Sequence, residues 1–424
     1  MLLLKNCTVI NFDKIEENVN ILINNDKIED ITKEEIESAT VIDCSGKYVV
    51  PGLIDMHVHF RDPGFEYKED IESGSKAAVA GGVTTCLPMA NTKPVNDNSS
   101  ITRYMVEKAK EIGLIDLFPI AAVTKGMKGE ELTEMGDILE AGAIAFSDDG
   151  LPVMNSEVMR RALEYASQFG SFIISHAEDK NLTGDGVINE GKISTITGLK
   201  GIPAESEEVM IARDILLAKL TKAHVHIAHV STKGSVELIR WAKKMGINVT
   251  AEATPHHFTL TDEELLNYDT NYKMNPPLRT EEDKNAIIEG LKDGTIDIIA
   301  TDHAPHHRVE KFVEFDNAAF GITGLQTLIP LTLNLVKSGQ FDMKKFVYLT
   351  SYKPAEILNL KDRGYIAKGK KADITVIDDK IEYIFDEKVN KSKSDNTPFF
   401  KKKLIGAAIY TIKDGKIVYD FHQQ

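Results

Sequence analysis

Between residues 53 and 300 the chain alternates, eight times, between a short β-rich run and a longer segment. The runs are 53–59, 83–89, 114–123, 143–146, 171–175, 224–230, 248–253 and 296–300. Segments of helical length lie between them, with amphipathic patterns at 69–80, 101–112, 156–169, 206–220, 235–245 and 281–291. Eight β/α alternations over about 250 residues predict a (β/α)₈ TIM-type barrel in an α/β protein. An open doubly wound sheet is the competing arrangement, but no glycine-rich nucleotide fingerprint follows any run.

The flanks read differently. Residues 2–10, 19–23, 27–31, 41–44 and 47–50 are short strands, with Asn24-Asn25-Asp26 as hairpin turn chemistry. After helical segments at 324–336, 342–348 and 354–358, strands return at 372–377 and on both sides of Lys413-Asp414-Gly415. Neither flank is long enough to bury a core alone. They are expected to join in one small β-sandwich, giving residues 1–50 and 363–424 to the sandwich and 51–362 to the barrel. Residues 391–396 are polar and read as a mobile loop.

The 424 residues carry a formal net charge of −15 and an isoelectric point near 5.3. That balance argues against nucleic acid or an anionic membrane as the main partner. Residues 1–4 are apolar but lapse into Lys5-Asn6, and no run approaches the roughly 20 apolar residues needed to cross a bilayer. Cys7, Cys44 and Cys86 are scattered and odd in number, as in a reduced cytoplasmic protein.

Catalytic groups of β/α barrels project from the C-terminal ends of the strands. Read there, the first run gives His57, His59 and Arg61, and the second is followed by Asn91. The fourth ends in Ser147-Asp148-Asp149-Gly150, the fifth in His176 and the sixth in His229. The seventh runs into Thr254-Pro255-His256-His257, and the eighth ends in Thr301-Asp302-His303-Ala304-Pro305-His306. His57 and His59 share a strand face. Four histidines and two aspartates can meet at one mouth and hold divalent ions, zinc above all. A bound zinc brings water to a pKa of roughly 7, which supplies a nucleophile, and an aspartate can carry its proton to a leaving nitrogen. The implied chemistry is metal-assisted hydrolysis at a carbonyl, or its reverse.

Other residues have plainer readings. His224 and His226 stand an odd number of positions from His229 and are expected to be structural. His256 and His257 either line the mouth or pack. His303 is expected to orient Asp302 or its loop. Asp148 and Asp149 before Gly150 could also simply shape a turn.

Pro51-Gly52-Leu53-Ile54-Asp55-Met56-His57-Val58-His59 resembles the signature of the amidohydrolase superfamily. His59-Phe60-Arg61-Asp62-Pro63-Gly64, Pro88-Met89-Ala90-Asn91-Thr92, Phe146-Ser147-Asp148-Asp149-Gly150, Ser175-His176-Ala177-Glu178-Asp179, Ile227-Ala228-His229-Val230-Ser231-Thr232 and the run 301–306 narrow the likeness. Together they are similar to class I bacterial dihydroorotases, over essentially the whole chain.

That resemblance implies one or two Zn²⁺ ions, with two favoured. His57, His59 and Asp302 would hold the first, His176 and His229 the second, and Asp149 would bridge, with Asp148 as the alternative. It implies Asp302 as general acid/base. Substrate, N-carbamoyl-L-aspartate or dihydroorotate, would meet His59, Arg61, Asn91, Asn275, His306 and the backbone of Phe320 and Gly321. A homodimer and association with aspartate transcarbamoylase are further implications. Separately from the resemblance, the segment after His306, residues 308–317, is charged and lies beside the site, which makes it a candidate cover. Related hydantoinases and allantoinases bridge their metals with a carboxylated lysine, and the fourth run has no lysine here. Another cyclic amidase is one competing reading. A non-catalytic scaffold is the other, although all six ligand positions are filled. One departure is the absence of the family's usual glycine near Lys401.

Overall fold

A computed structural model describes residues 1–35 and 40–423. Its parallel strands fall where the alternation predicts, at Leu53–Val58, Val83–Pro88, Ala145–Phe146, Ile173–Ser175, Val225–Ile227, Val249–Ala253 and Ile298–Ile299. The third run is the exception. Phe118-Pro119 divides it into Asp116–Leu117, paired with the second strand, and Ile120–Ala121, paired with the fourth. Proline has no N–H to give a ladder, so the strand breaks there. The last strand returns to the first: Val58 and His303 form a parallel bridge, and the His59 N–H donates to the His303 carbonyl at 2.8 Å.

Helices intervene between strands, and several of them start on side-chain caps. Asp70, Asn98, Asn155, Thr232 and Thr280 each accept a hydrogen bond from a first-turn N–H. Their apolar faces pack on the strands, bringing Ala77, Met105, Leu163, Ile211 and Ile239 into one cluster with Val83, Phe146, Val225 and Val249.

The two flanks do join. Strand Ile374–Ile384 pairs antiparallel with Tyr48–Pro51, and both flanks form one mixed eight-stranded sheet. A separate apolar cluster of Leu4, Val9, Ile21, Val49, Ile374 and Ile412 fills it. Lys401 holds φ 61°, the left-handed conformation a glycine would take without cost.

Residues 391–396 are not a free loop. Ser394 and Asn396 are buried. The Ser392 hydroxyl and the Lys393 N–H donate to Glu69, and Ser394 Oγ donates to the Lys68 carbonyl at 2.7 Å. The segment's polarity satisfies buried partners rather than solvent.

Charge ties the sheet to the parallel strands. Asp116 meets Arg363 at 2.5 Å, Lys371 at 2.6 Å and Lys413 at 3.3 Å. Burial would raise its carboxyl, but the three cations outweigh it and hold it at about 2. A carboxyl depressed on folding stabilises the native state above its ordinary pKa, and that contribution disappears as pH falls through about 2. Asp116→Asn is therefore expected to cost about 2 kcal/mol at pH 7, and progressively less on acidification below pH ~4. Denaturant melts of both proteins across pH would measure this. A constant difference down to pH 2 would contradict it.

Candidate metal centre

The site grows from tied strand ends. Asp55, two residues before His57, accepts from the Thr301 N–H and the Thr301 hydroxyl. It thus joins the first strand to the last, and burial pushes its carboxyl up to about 7. Asp148 accepts from the N–H groups of Val123 and Thr124 at 2.8 and 3.1 Å and from the Thr124 hydroxyl. It is committed to backbone, and its neighbour Asp149 faces the histidines. His229 and Asp302 hold φ 31° and 46°. Such backbone is costly for residues other than glycine, and such outliers cluster at functional sites.

The six predicted donors meet. His57 Nε2 lies 3.5 Å from Asp149 Oδ1 and 3.4 Å from Asp302 Oδ1. His59 Nε2 lies 3.5 Å from Asp149 Oδ2 and 3.0 Å from Asp302 Oδ1. On the other side, His176 Nδ1 and His229 Nε2 lie 3.3 and 3.6 Å from Asp149 Oδ1. Three triads have donor atoms within 4.8 Å of one another: His57/His59/Asp149, Asp149/His176/His229 and His57/His229/Asp302. His57 Nε2 and Asp149 Oδ1 are fully buried without hydrogen-bond partners. Leaving such atoms unsatisfied costs roughly 1–3 kcal/mol each, which a cation between them would remove. The donor set fits a divalent ion. Burial would raise the Asp149 carboxyl, but His57, His176 and His229 keep it well below the ordinary range. His57 and His59 likewise hold Asp302 down against burial.

Two carboxylates that sequence reasoning passed over orient the rings. His57 Nδ1 donates to Glu252 at 2.6 Å, which leaves Nε2 for the centre. Glu252 also accepts from His226 Nε2 at 3.1 Å and from the His229 N–H at 3.2 Å. His176 Nε2 donates to Glu178 at 2.9 Å, which leaves Nδ1 for the centre. Outer partners of this kind fix tautomer and ring direction. His226 is thus structural, as expected, and His224 bonds Thr250 at 2.7 Å away from the centre.

A cavity of about 380 Å³ opens over the donors. His59, Arg61, Asn91, Asn275, His306 and Phe320 line it, together with Asp149, His176, His229 and Asp302. The first strand ends at Val58, so Arg61 does not continue its face. A left-handed turn at φ 61° brings it in instead. Arg61 Nε donates to the Pro305 carbonyl at 3.2 Å, and its Nη2 donates to His306 Nε2 at 3.2 Å. Burial and the charges of Arg61, Lys68 and Lys311 push the His306 imidazole far below its usual pKa, so it is neutral. Asn91 Oδ1 is 2.9 Å from His59 Nδ1. Asn275 Nδ2 donates to Glu178 at 3.1 Å. Gly321 stands behind Phe320, with its N–H on the Lys273 carbonyl at 3.0 Å.

The other three histidines at the ends of the seventh and eighth runs are braced or buried. His257 is held by Thr254 and the Pro276 carbonyl. His256 is buried beside it, and burial pushes its imidazole down to about 3. His303 accepts from the Gly324 N–H and faces Glu69 at 3.3 Å, so it braces its loop.

A strand-end cluster of histidines and aspartates that suits a metal ion, under a polar cavity, is the arrangement of an amidohydrolase site, and comparison with known proteins agrees on that class. The Dihydro-orotase-like family model matches residues 46–235, and the Amidohydrolase family model matches residues 211–419. A dihydroorotase of Geotalea daltonii is 54% identical over 96% of this chain and 96% of its own length. One of Acetivibrio thermocellus is 51% identical over 94% of each. The chain belongs to the dihydroorotase family. Among solved structures, L-hydantoinase from Arthrobacter aurescens superposes with a TM-score of 0.89, at 25% identity over 99% of this chain and 96% of that one. Dihydropyrimidinase from Brevibacillus agri gives 0.83 at 23% identity, with 99% and 95% coverage, a likeness of fold.

Proposed function

We infer that the protein is a dihydroorotase, which interconverts N-carbamoyl-L-aspartate and (S)-dihydroorotate plus water in pyrimidine biosynthesis. The observation that carries this reading is Asp149 among four histidines, beneath a cavity that also holds Arg61, Asn91 and His306. Relatives sharing half of its residues over nearly its full length bear that name.

The eight parallel strands read as one closed (β/α)₈ barrel over residues 51–362, closed by the bridge from His303 to Val58. The sheet from residues 1–50 and 363–424 reads as the satellite β-sandwich.

The donor set suits two zinc ions: His57, His59 and Asp302 would hold one and His176 and His229 the other, with Asp149 available to both. Zinc held there would supply Lewis acidity and a water ionised near neutral pH. Arg61 offers a planar fork to the substrate carboxylate, and neutral His306 and Asn91 add hydrogen bonds. Asn275, with the backbone of Phe320 and Gly321, borders the ring. Asp302 takes the proton of the attacking water and returns it to the ring nitrogen as the C–N bond breaks. Ring closure runs the same path backward.

The likeness to hydantoinases favours a second reading, another cyclic amidase. Against it, the fourth strand ends in Ser147-Asp148-Asp149 without a lysine. Turnover of dihydroorotate, hydantoin and allantoin, measured side by side, separates them. We expect dihydroorotate to be preferred, activity to vanish on chelation, and zinc to restore it. A preference for hydantoin or allantoin would overturn the reading. Absence of turnover with zinc bound would favour a scaffold.

A cytoplasmic location and a homodimer accompany this reading. No helix among the described residues is long and apolar enough to cross a membrane. Helix Glu205–Thr221 exposes Val209, Leu216 and Leu220 along one stripe, with Glu205 at one end and Lys219 near the other. Such an exposed apolar stripe would suit an antiparallel copy across a twofold axis. Sedimentation at the monomer mass would remove the dimer. Co-elution with aspartate transcarbamoylase would test that association.

A further inference from the structure

The wall of the cavity beyond the metal donors is held from an unexpected place. Asn396 comes from the segment that precedes strand Lys403–Lys413, far along the chain from every group it touches. Only 2% of it is exposed. Its Oδ1 accepts from the His306 N–H at 2.9 Å. Its Nδ2 donates to the carbonyls of Ala304 and Gly321, both at 3.0 Å. Its own carbonyl accepts from the Thr323 N–H at 3.0 Å. One side chain thus joins the backbone on both sides of Pro305 to the backbone beside Phe320.

Two further contacts make this a bracket. Lys311 Nζ donates to the same Gly321 carbonyl at 3.2 Å and to the Ala319 carbonyl at 2.8 Å. Ser392 and Lys393 bond Glu69, which faces His303. The Ala304, His306 and Gly321 groups are spoken for on the side away from the cavity. The His306 ring and the Phe320 side line the cavity itself.

We propose that Asn396 is a positioning residue for substrate: it presets the backbone that presents His306 and the Phe320-Gly321 pair to the cavity. This rests on the dihydroorotase reading. Asn396 touches neither the metal donors nor the cavity, so its loss acts through placement of the wall. Precise placement governs substrate binding without changing the metal chemistry. Asparagine suits the task because it both accepts and donates. Aspartate has the same shape but sets a second acceptor against two carbonyl oxygens.

The test compares Asn396→Asp and Asn396→Ala with the wild-type enzyme, reading KM and kcat for dihydroorotate, zinc content and melting temperature. We expect KM to rise roughly tenfold or more in both, kcat to fall far less, and zinc content to match the wild type. A merely structural role would lower the melting temperature and leave KM unchanged, and that result overturns the inference. Wild-type protein that fails to turn over dihydroorotate instead defeats the functional reading, and the inference with it. Amide exchange on the ligand-free wild-type protein is independent of whether the variants fold. A preset wall requires slow exchange at the His306 N–H, and rapid exchange there overturns the inference.

Discussion

Asp302→Ala is expected to lower kcat for dihydroorotate by about 10⁴-fold, the upper end of what a positioned acid/base group contributes. The reasons are geometric. Asp302 follows the last parallel strand in a left-handed backbone conformation, which turns its carboxylate back over the strand ends. It is 3% exposed, and its Oδ1 is within 3.4 Å of both His57 and His59. The neighbouring rings hold the carboxyl below its ordinary range, so it is a base throughout the neutral region. Alanine removes the proton carrier but leaves five candidate ligands, so zinc binding should weaken without vanishing. Asp302→Asn sharpens the test, since it keeps the shape and removes the basicity. Both variants should retain affinity for carbamoyl-aspartate, because Arg61, Asn91 and His306 are untouched. Metal analysis alongside single-turnover rates would measure this. Turnover near the wild-type rate in either variant would mean that another group moves the proton.

How much of this arrangement the sequence discloses depends on whether a residue's role is local. The strand-end histidines are legible because strand periodicity and the barrel rule fix where such side chains point. The break in the third strand is legible in hindsight at Pro119, since a proline in a central strand removes a ladder donor. Glu252 left a usable signal as well. It is a carboxylate inside Val249–Ala253, a strand otherwise made of buried apolar residues apart from half-buried Thr250. A charge in a buried parallel strand needs a partner, and the surplus of histidines on the neighbouring strand could have named it. Asn396 left no such signal. Its partners are backbone groups more than 70 residues away, and backbone carries no sequence code. A polar stretch satisfied by buried backbone is indistinguishable, in sequence, from one satisfied by water. Residues 391–396 therefore look mobile in sequence, and in the fold they form a strap.

The adjacent pair Asp148 and Asp149 gives the second large effect. Periodicity cannot assign them, because the turn after Phe146 decides which carboxylate faces the centre. In the folded chain their surroundings differ sharply. Asp149 belongs to two of the three donor triads, and one of its oxygens is buried without a partner. Asp148 has none of that character: its carboxylate is filled by two N–H groups and a hydroxyl. Asp149→Ala should therefore abolish measurable turnover and lower zinc content, while folding is retained. Asp148→Ala should do the opposite. It leaves the N–H groups of Val123 and Thr124 buried and unpaired, at a cost of roughly 1–3 kcal/mol each, yet it removes no candidate ligand. The signature is a crossed pattern, with zinc lost in one variant and stability lost in the other. Zinc loss confined to Asp148→Ala would reverse the assignment and make Asp148 the bridging carboxylate. Equal zinc loss in both would mean that the loop, rather than either carboxylate, carries the metal site.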